Sequence, residues 1–360
     1  MRCSISSNSD SAPAARPATR GTGRGRVLQT LVGVGLSLAF LALAFRGVSL
    51  SELWGHVLRA NPWWLLASAA AATATFPLRT VRWRILLAHA HGPAPFRPLW
   101  HATTIGFMAN NILPARAGEL VRSFAATRLV GVPFTTALAS VAVERVFDGV
   151  VIGLVFAIAL ASTDFPAGAM VGTTNLTLLA GIMVIGFSGV LVVCVAVVRN
   201  RERVLPLLER LIHALLPRRF APAVVRIMHH ATDGLGVLHS VRDVLRVLTW
   251  SFAQWGVNAV AFILGFHAFG LGQLPVDAAL LLQGVVAFGV AVPQAPGFFG
   301  GFELLTRLSL EFYGVSGDRA LSYGFGIHIV WFIPITVIGL WHLARTGLTL
   351  RDLRQQAPPA

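Results

Sequence analysis

Lysine is absent from this 360-residue chain, and every one of its 29 basic residues is arginine. Lysine Schiff-base catalysis and P-loop phosphate binding both need that side chain, so both are excluded. A codon bias toward Ala, Gly, Pro and Arg accounts for the absence without any appeal to function. Cysteine is nearly missing too, since Cys3 and Cys194 offer neither a disulfide framework nor metal-ligand spacing. Charge of either sign is scarce: 12% of residues are charged and 55% are hydrophobic, where a soluble domain carries about 25% charged residues. Half of the usual solvated surface is missing, and lipid takes its place.

The charge that remains is mostly of one sign, with 29 arginines against 15 acids. A net charge of +14 raises nucleic acid as a partner. The arginines, however, sit in short segments between apolar runs, the pattern of loops held against an anionic cytoplasmic leaflet, and this excludes nucleic acid. The sequence is that of an all-α, polytopic integral membrane protein.

Residues 1–26 read as a disordered, basic cytoplasmic tail. The run 27–45 is long enough for a bilayer core that needs roughly 20 residues. Ala42-Leu43-Ala44 resembles a signal-peptide cleavage site, but the long tail and long apolar run favour an uncleaved helix. A short connection leads to a second span at 63–78, and Arg79, Arg82, Arg84 and Arg97 then mark a cytoplasmic loop over 79–97. The run 99–113 is short and stops at Pro114. A long helix at 132–160 follows, interrupted by Glu144, Arg145 and Asp148. Segment 161–174 lacks basic residues and is expected outside, and 175–198 returns. Residues 199–247 hold nine arginines with leucines at helical spacing. They read as two amphipathic helices on the inner surface, or equally as a solvated helical hairpin. Span 247–269 goes out, 276–292 is short and ends at Pro293, and 320–344 is the last span before a cytoplasmic tail at 346–360.

The segments assigned inside hold 24 of the 29 arginines, so both termini are expected in the cytoplasm of a cell with a plasma (inner) membrane. That requires an even number of crossings. Six full spans satisfy it if the two short segments are re-entrant hairpins, about 98–130 entering from inside and about 276–315 from outside.

Those two segments carry the functional argument. The first contains Asn111, Pro114, Arg116, Gly118, Glu119 and Arg122, and the second Pro296, Gly297, Gly300, Gly301 and Glu303. Each has an apolar stretch too short to span, then proline, glycine and Glu-Leu. Irregular backbone at membrane depth survives only where protein or a wet cavity satisfies its N–H and C=O groups. Paired breaks of this kind build mid-membrane transporter sites, with helix N-termini facing an anion; two tight surface loops that bind nothing are the plain alternative. Glu144, Arg145 and Asp148 share a helix, each costing roughly 2.5–3.5 kcal/mol near the bilayer centre. They must face the bundle interior, paired with Arg116, Arg122 or each other, either as a static lock or in contact with substrate. His101, His328 and His342 are expected to be packed or interfacial rather than proton relays, and tryptophans such as Trp63, Trp64, Trp100, Trp331 and Trp341 to include interfacial anchors.

Taken together, Arg82-Trp83, the run Asn111 to Arg122, Glu144-Arg145-x-x-Asp148 and Pro296-Gly297 to Phe302-Glu303 resemble the flippase-like transmembrane region of lysylphosphatidylglycerol synthases, over roughly residues 25–345. The resemblance implies moving or handling a lipid with a charged head group. It also implies that the fourteen residues Asn111, Pro114, Arg116, Gly118, Glu119, Arg122, Glu144, Arg145, Asp148, Pro296, Gly297, Gly300, Gly301 and Glu303 line the substrate path. Nothing after residue 345 is long enough for the soluble aminoacyl-lipid synthase domain, so a carrier rather than an enzyme is expected, without cofactor or metal. Its expected partners are membrane lipids: an anionic or aminoacylated phospholipid, or a lipid-linked precursor. Self-association as a homo-oligomer stays open. A membrane-embedded transferase on lipid-linked substrates and a non-transporting envelope scaffold are the alternatives. Phe298-Phe299 departs from the smaller residues common in relatives.

Overall fold

The computed structural model describes residues 23–113, 117–162, 170–171, 174–215, 221–289 and 295–348. The described residues are helical throughout except for connections and a two-residue ladder pairing Met170–Val171 with Thr174–Asn175. Thirteen α-helices follow in chain order: α1 (Gly23–Phe45), α2 (Leu50–Arg59), α3 (Pro62–His91), α4 (Phe96–Ile112), α5 (Gly118–Val130), α6 (Phe134–Ser162), α7 (Leu176–Arg199), α8 (Arg201–Leu215), α9 (Ala221–Gly234), α10 (Val241–Ala268), α11 (Val276–Gly289), α12 (Gly301–Glu311) and α13 (Gly317–Thr346).

The start and stop signals are chemical. Asn61 caps α3, its side chain accepting from the N–H groups of Trp63 and Trp64, with Pro62 in the first turn. Asn175 and Ser240 cap α7 and α10 in the same way. Gly131 ends α5 in the left-handed conformation at φ 82°. By length and apolarity α10, α13 and the Ala180–Arg199 part of α7 qualify as membrane-crossing, and α1 with α2 makes a fourth if the pair is one span bent by 88°. Large apolar side chains that face outward, such as Ile185 at 75% exposure, are explained by lipid and not by water. Helices α3 and α6 are as long, about 45 Å at roughly 1.5 Å per residue, and differ in carrying ionic residues in mid-helix rather than near the ends.

Three expectations are corrected. Residues 79–97 are not a cytoplasmic loop: α3 runs on through Arg79, Arg82 and Arg84 to His91, and Arg79 and Arg82 are buried. The basic count therefore included arginines that belong to the interior, Arg122 among them. The connection between the first two spans holds an amphipathic helix, α2, whose N-cap residue Ser49 donates its N–H to Asp318 in the first turn of α13 at 2.7 Å. Helix α1 begins at Gly23, inside the stretch assigned to the tail. The rest of that tail, most of the closing tail, Pro114, Arg116 and Pro293 lie outside the described residues. The amphipathic pair expected within 199–247 is α8 and α9, followed by a 3₁₀ turn at Gly236–His239.

Both short segments fold back on themselves. Helix α4 packs along α5, and α11 along α12. The α4–α5 approach depends on the absence of side chains at Gly106 and Gly118. A Cβ at Gly118 would collide with the Gly106 carbonyl oxygen and the Asn110 side chain, and the Asn110 amide oxygen accepts from Gly118 N–H at 2.8 Å. Gly118→Ala is therefore expected to cost roughly 1–3 kcal/mol through overpacking, read as a lowered melting temperature of the detergent-solubilised protein. Gly186→Ala, where a Cβ meets nothing within 4 Å, is expected to leave it unchanged.

Candidate functional site

Helical periodicity brings the buried charges together. Arg79 and Arg82 are three apart on α3, Glu144 and Asp148 four apart on α6, and Ser251 and Trp255 four apart on α10, so each pair shares a face. Those faces converge with Arg122 of α5. Arg82 is fully buried and bonds Asp148 through both terminal nitrogens, with its Nη1 also donating to Ser251 Oγ at 2.8 Å. Its Nη2 lies 3.0 Å from Glu144 Oε1. Arg122 grips Glu144 with two nitrogens, each 3.1 Å from a carboxylate oxygen. The Trp255 indole donates to Asp148 Oδ1 at 2.9 Å. Arg122 stacks over Trp83 at 3.9 Å, and Trp83 donates to Ser140 at 2.8 Å. Fork-to-carboxylate geometry of this kind is specific to arginine.

Two members are placed differently. Arg145 joins the network to the first break: its Nε lies 2.8 Å from Glu119 Oε1 and its Nη1 3.2 Å from Asp148 Oδ2. The Arg145 and Glu119 side chains are 35% and 32% exposed, so this bridge is the rim of the cluster. Arg79 is buried but has the longest ion pairs, 3.7 Å to Asp148 and 4.0 Å to Glu144. Its guanidinium lies 5.2 Å from the rings of both Phe107 and Trp255. Among the described residues Arg79 Nη1, Arg82 Nε and Arg122 Nε find no hydrogen-bond partner. Among the described residues the cluster holds four arginines (Arg79, Arg82, Arg122, Arg145) and three carboxylates (Glu119, Glu144, Asp148), one cation in excess.

The second break makes a separate polar centre. Gly297 and Gly300 have φ of 74° and 95°, and Phe298 sits at φ 63°, a region costly for a bulky side chain. A Cβ at Gly300 would meet the Ser37 carbonyl of α1, and Ser37 Oγ accepts from Ala295 N–H at 2.8 Å. Glu303 closes its own helix by accepting from Gly300 N–H at 2.7 Å, and its other oxygen lies 2.6 Å from His328 Nδ1 on α13. Phe299 stacks on that imidazole with centroids 4.4 Å apart, and Phe302 lies 4.5 Å away. The aromatic pair Phe298-Phe299 thus has a local role, since Phe299 covers a buried histidine.

Of the fourteen sequence candidates, Glu119, Arg122, Glu144, Arg145 and Asp148 come together in one network. Gly118 is a helix contact. Asn111 turns away, its amide donating to Thr336 Oγ1 on α13 at 2.8 Å. Pro296, Gly297, Gly300, Gly301 and Glu303 build the second break and share no side-chain partner with the network among the described residues. Pro114 and Arg116 lie outside them. Arg79, Ser251, Trp255 and His328 were missed as members of these centres, and Arg82 and Trp83, though among the motifs that carry the family resemblance, were not placed in the site. For Arg79 and Arg82 the signal was present, as helical spacing that continues through the arginines without a turn residue between 78 and 91.

The sequence matches the family described as lysylphosphatidylglycerol synthase TM region over residues 30–339. It is 27% identical over 300 residues to the glycosyltransferase AglD of Haloferax volcanii, covering 75% of this chain and 47% of that protein. The chain therefore spans about half the length of that relative. It is 23% identical over 251 residues to a UPF0104 membrane protein of Methanothermobacter thermautotrophicus, covering 68% of each. No solved structure matches. With a match running over most of its length, the chain belongs to the lysylphosphatidylglycerol synthase transmembrane-region family.

Proposed function

We propose that the protein binds a lipid with a charged head group and carries it across the membrane, using the α3–α5–α6–α10 ion cluster as the head-group site. The observation that carries this reading is the surplus arginine. A buried cation without a full partner is costly, and removing one partner of a buried ion pair is worth about 3–5 kcal/mol. A cluster with one unneutralised guanidinium is therefore suited to a mobile anion. Arg79 is the natural acceptor, because its competing ion pairs are long and its aromatic neighbours hold it without using its N–H groups. A phosphate meets such donors bidentately. The rim pair Arg145–Glu119 supplies both signs where the cluster reaches its accessible edge, which suits an aminoacylated head group with its added ammonium. The sequence contains no ATP-binding motif, so movement would be passive or driven by a gradient.

The proposed topology has six crossings (α1, α3, α6, α7, α10, α13) with α4–α5 and α11–α12 as hairpins from opposite faces, and both termini cytoplasmic. Recounting only arginines outside the network supports it. Arg97, Arg199, Arg201, Arg203, Arg242, Arg246 and Arg345 lie at the end where α3 finishes, against Arg46, Arg59 and Arg319 at the other. In a background with Cys3 and Cys194 replaced by serine, Gln273→Cys is expected to react with a membrane-impermeant maleimide on intact cells. His239→Cys is expected to react only after permeabilisation, and the reverse pattern would invert the topology.

A second reading, favoured by the name of the Haloferax relative, places the phosphate of a lipid-linked saccharide on the same arginines. One assay addresses both: proteoliposomes carrying fluorescent phosphatidylglycerol, lysyl-phosphatidylglycerol or a polyprenyl-phosphate sugar, with transbilayer movement read by dithionite quenching. Rates equal to protein-free vesicles for every lipid would sink the carrier reading. Arg79→Gln is expected to slow transport at least tenfold with little change in melting temperature. Glu144→Gln strands Arg82 and Arg122 and is expected to destabilise the protein by about 3–5 kcal/mol.

A further inference from the structure

Away from the ion cluster, α4 begins and α13 ends side by side, and there they enclose a pocket of about 470 Å³ lined by Arg97, Trp100, His101, Trp341, His342 and Arg345. The walls are organised. Arg345 lies over the Trp341 ring at 3.9 Å. Trp100 stacks on Phe96 with planes 7° apart, and His101 and His342 have centroids 4.3 Å apart. The buried His342 is pinned by Thr104, whose hydroxyl is 2.7 Å from its Nδ1. No carboxylate lines the pocket, and among the described residues neither Arg97 nor Arg345 is paired with one. Two guanidinium groups thus face a concave, donor-rich site with no carboxylate among the described residues to neutralise them.

The pocket opens onto lipid. Ile333, Val337 and Trp341 follow one another at four-residue spacing along α13 and are 53%, 58% and 51% exposed. This stripe leads from the pocket into the hydrocarbon, whereas a soluble anion would need no apolar track. Paired arginine and tryptophan at a helix end are also the groups that settle at the membrane interface. The volume suits a head group, since whole-ligand pockets run from about 300 to 1,000 Å³, with the acyl chains left outside on the stripe.

We infer that this pocket holds the phosphate of an anionic phospholipid at the interface, with its chains laid along α13. The site is distinct from the head-group site of the proposed carrier, and its occupancy does not depend on whether the protein moves lipid. Thr104 and Met108 of α4 pack against Gly339 of α13 directly beneath it, so a bound lipid would tie together the helix that starts the first hairpin and the last span.

Native mass spectrometry of the full-length protein, titrated with dioleoylphosphatidylglycerol or dioleoylphosphatidylcholine in detergent, tests this. The wild type is expected to prefer phosphatidylglycerol, and the Arg97→Gln/Arg345→Gln double variant to bind it at least tenfold more weakly, phosphatidylcholine binding being unchanged. Both arginines are exposed, so this variant should fold, which its melting temperature checks. Trp341→Ala, which keeps both charges, is expected to weaken binding several-fold. Equal affinity of wild type and double variant for phosphatidylglycerol would overturn the assignment. Displacement of the lipid by millimolar inorganic phosphate would also overturn it, by making the site one for a soluble anion.

Discussion

Carboxylates and guanidinium groups inside a membrane must find each other, and the contact of Arg82 with Glu144 and Asp148 is where this chain meets that demand. Arg82 is fully buried, as is Glu144, and Asp148 is nearly so. Neither partner could enter hydrocarbon alone without a penalty that would offset several apolar residues. Once α3 and α6 are committed to this contact, α5 and α10 follow from what is left unsatisfied. Glu144 has a second oxygen, which recruits Arg122 and so draws in α5. Asp148 accepts from Trp255, which with Ser251 fixes the face that α10 turns inward. Helix α5 must reach α6 from a chain that has just entered on α4, and the close packing of Gly118 on Gly106 and Asn110 of α4 keeps that approach short.

The same reasoning explains what was legible in the sequence. The helical class, the last five apolar segments and the two interrupted segments followed from run length, proline position and glycine content, which are local properties. The triad Glu144, Arg145 and Asp148 was legible because three charges in a long apolar helix have no bland solvent-facing explanation. Arg79 and Arg82 were not, because an arginine just past an apolar run looks the same whether the helix stops or continues. Deciding between them needs the partner, and the partner, Asp148, is 66 residues away in sequence. Helix α2 was hidden for a related reason: ten residues with an apolar stripe are too short to read as a span. Their inward face shows only when α13 is alongside, where Ser322 Oγ donates to the Leu53 carbonyl.

Arginine counting for orientation treats every arginine as a loop charge, and burial removes several from that count. Arg79, Arg82 and Arg122 were counted as loop charges, yet they balance buried carboxylates and carry no information about sides. Removing them leaves the asymmetry intact, because it rests on α8, the start of α10 and the end of α13. Charge in a membrane protein thus has two populations that composition cannot separate, and burial assigns each arginine to one or the other.

The two breaks differ in how they are held, and that difference bears on how a carrier built on them would work. At the second break Glu303 satisfies its own helix terminus and a histidine of α13 under a phenylalanine lid, so both of its oxygens are engaged locally. The first break ends in Glu119, whose partner Arg145 is also a partner of Asp148. An anion arriving at Arg79 would compete with Asp148 and Glu144 for its guanidinium, and any shift of Asp148 would be felt at Arg145 and hence at Glu119. In the proposed carrier the first hairpin would therefore be coupled electrostatically to occupancy of the cluster, while the second is bonded to α1 and α13. In the proposed cycle α4–α5 would be the element that responds to the head group, and α11–α12 the surface against which it moves.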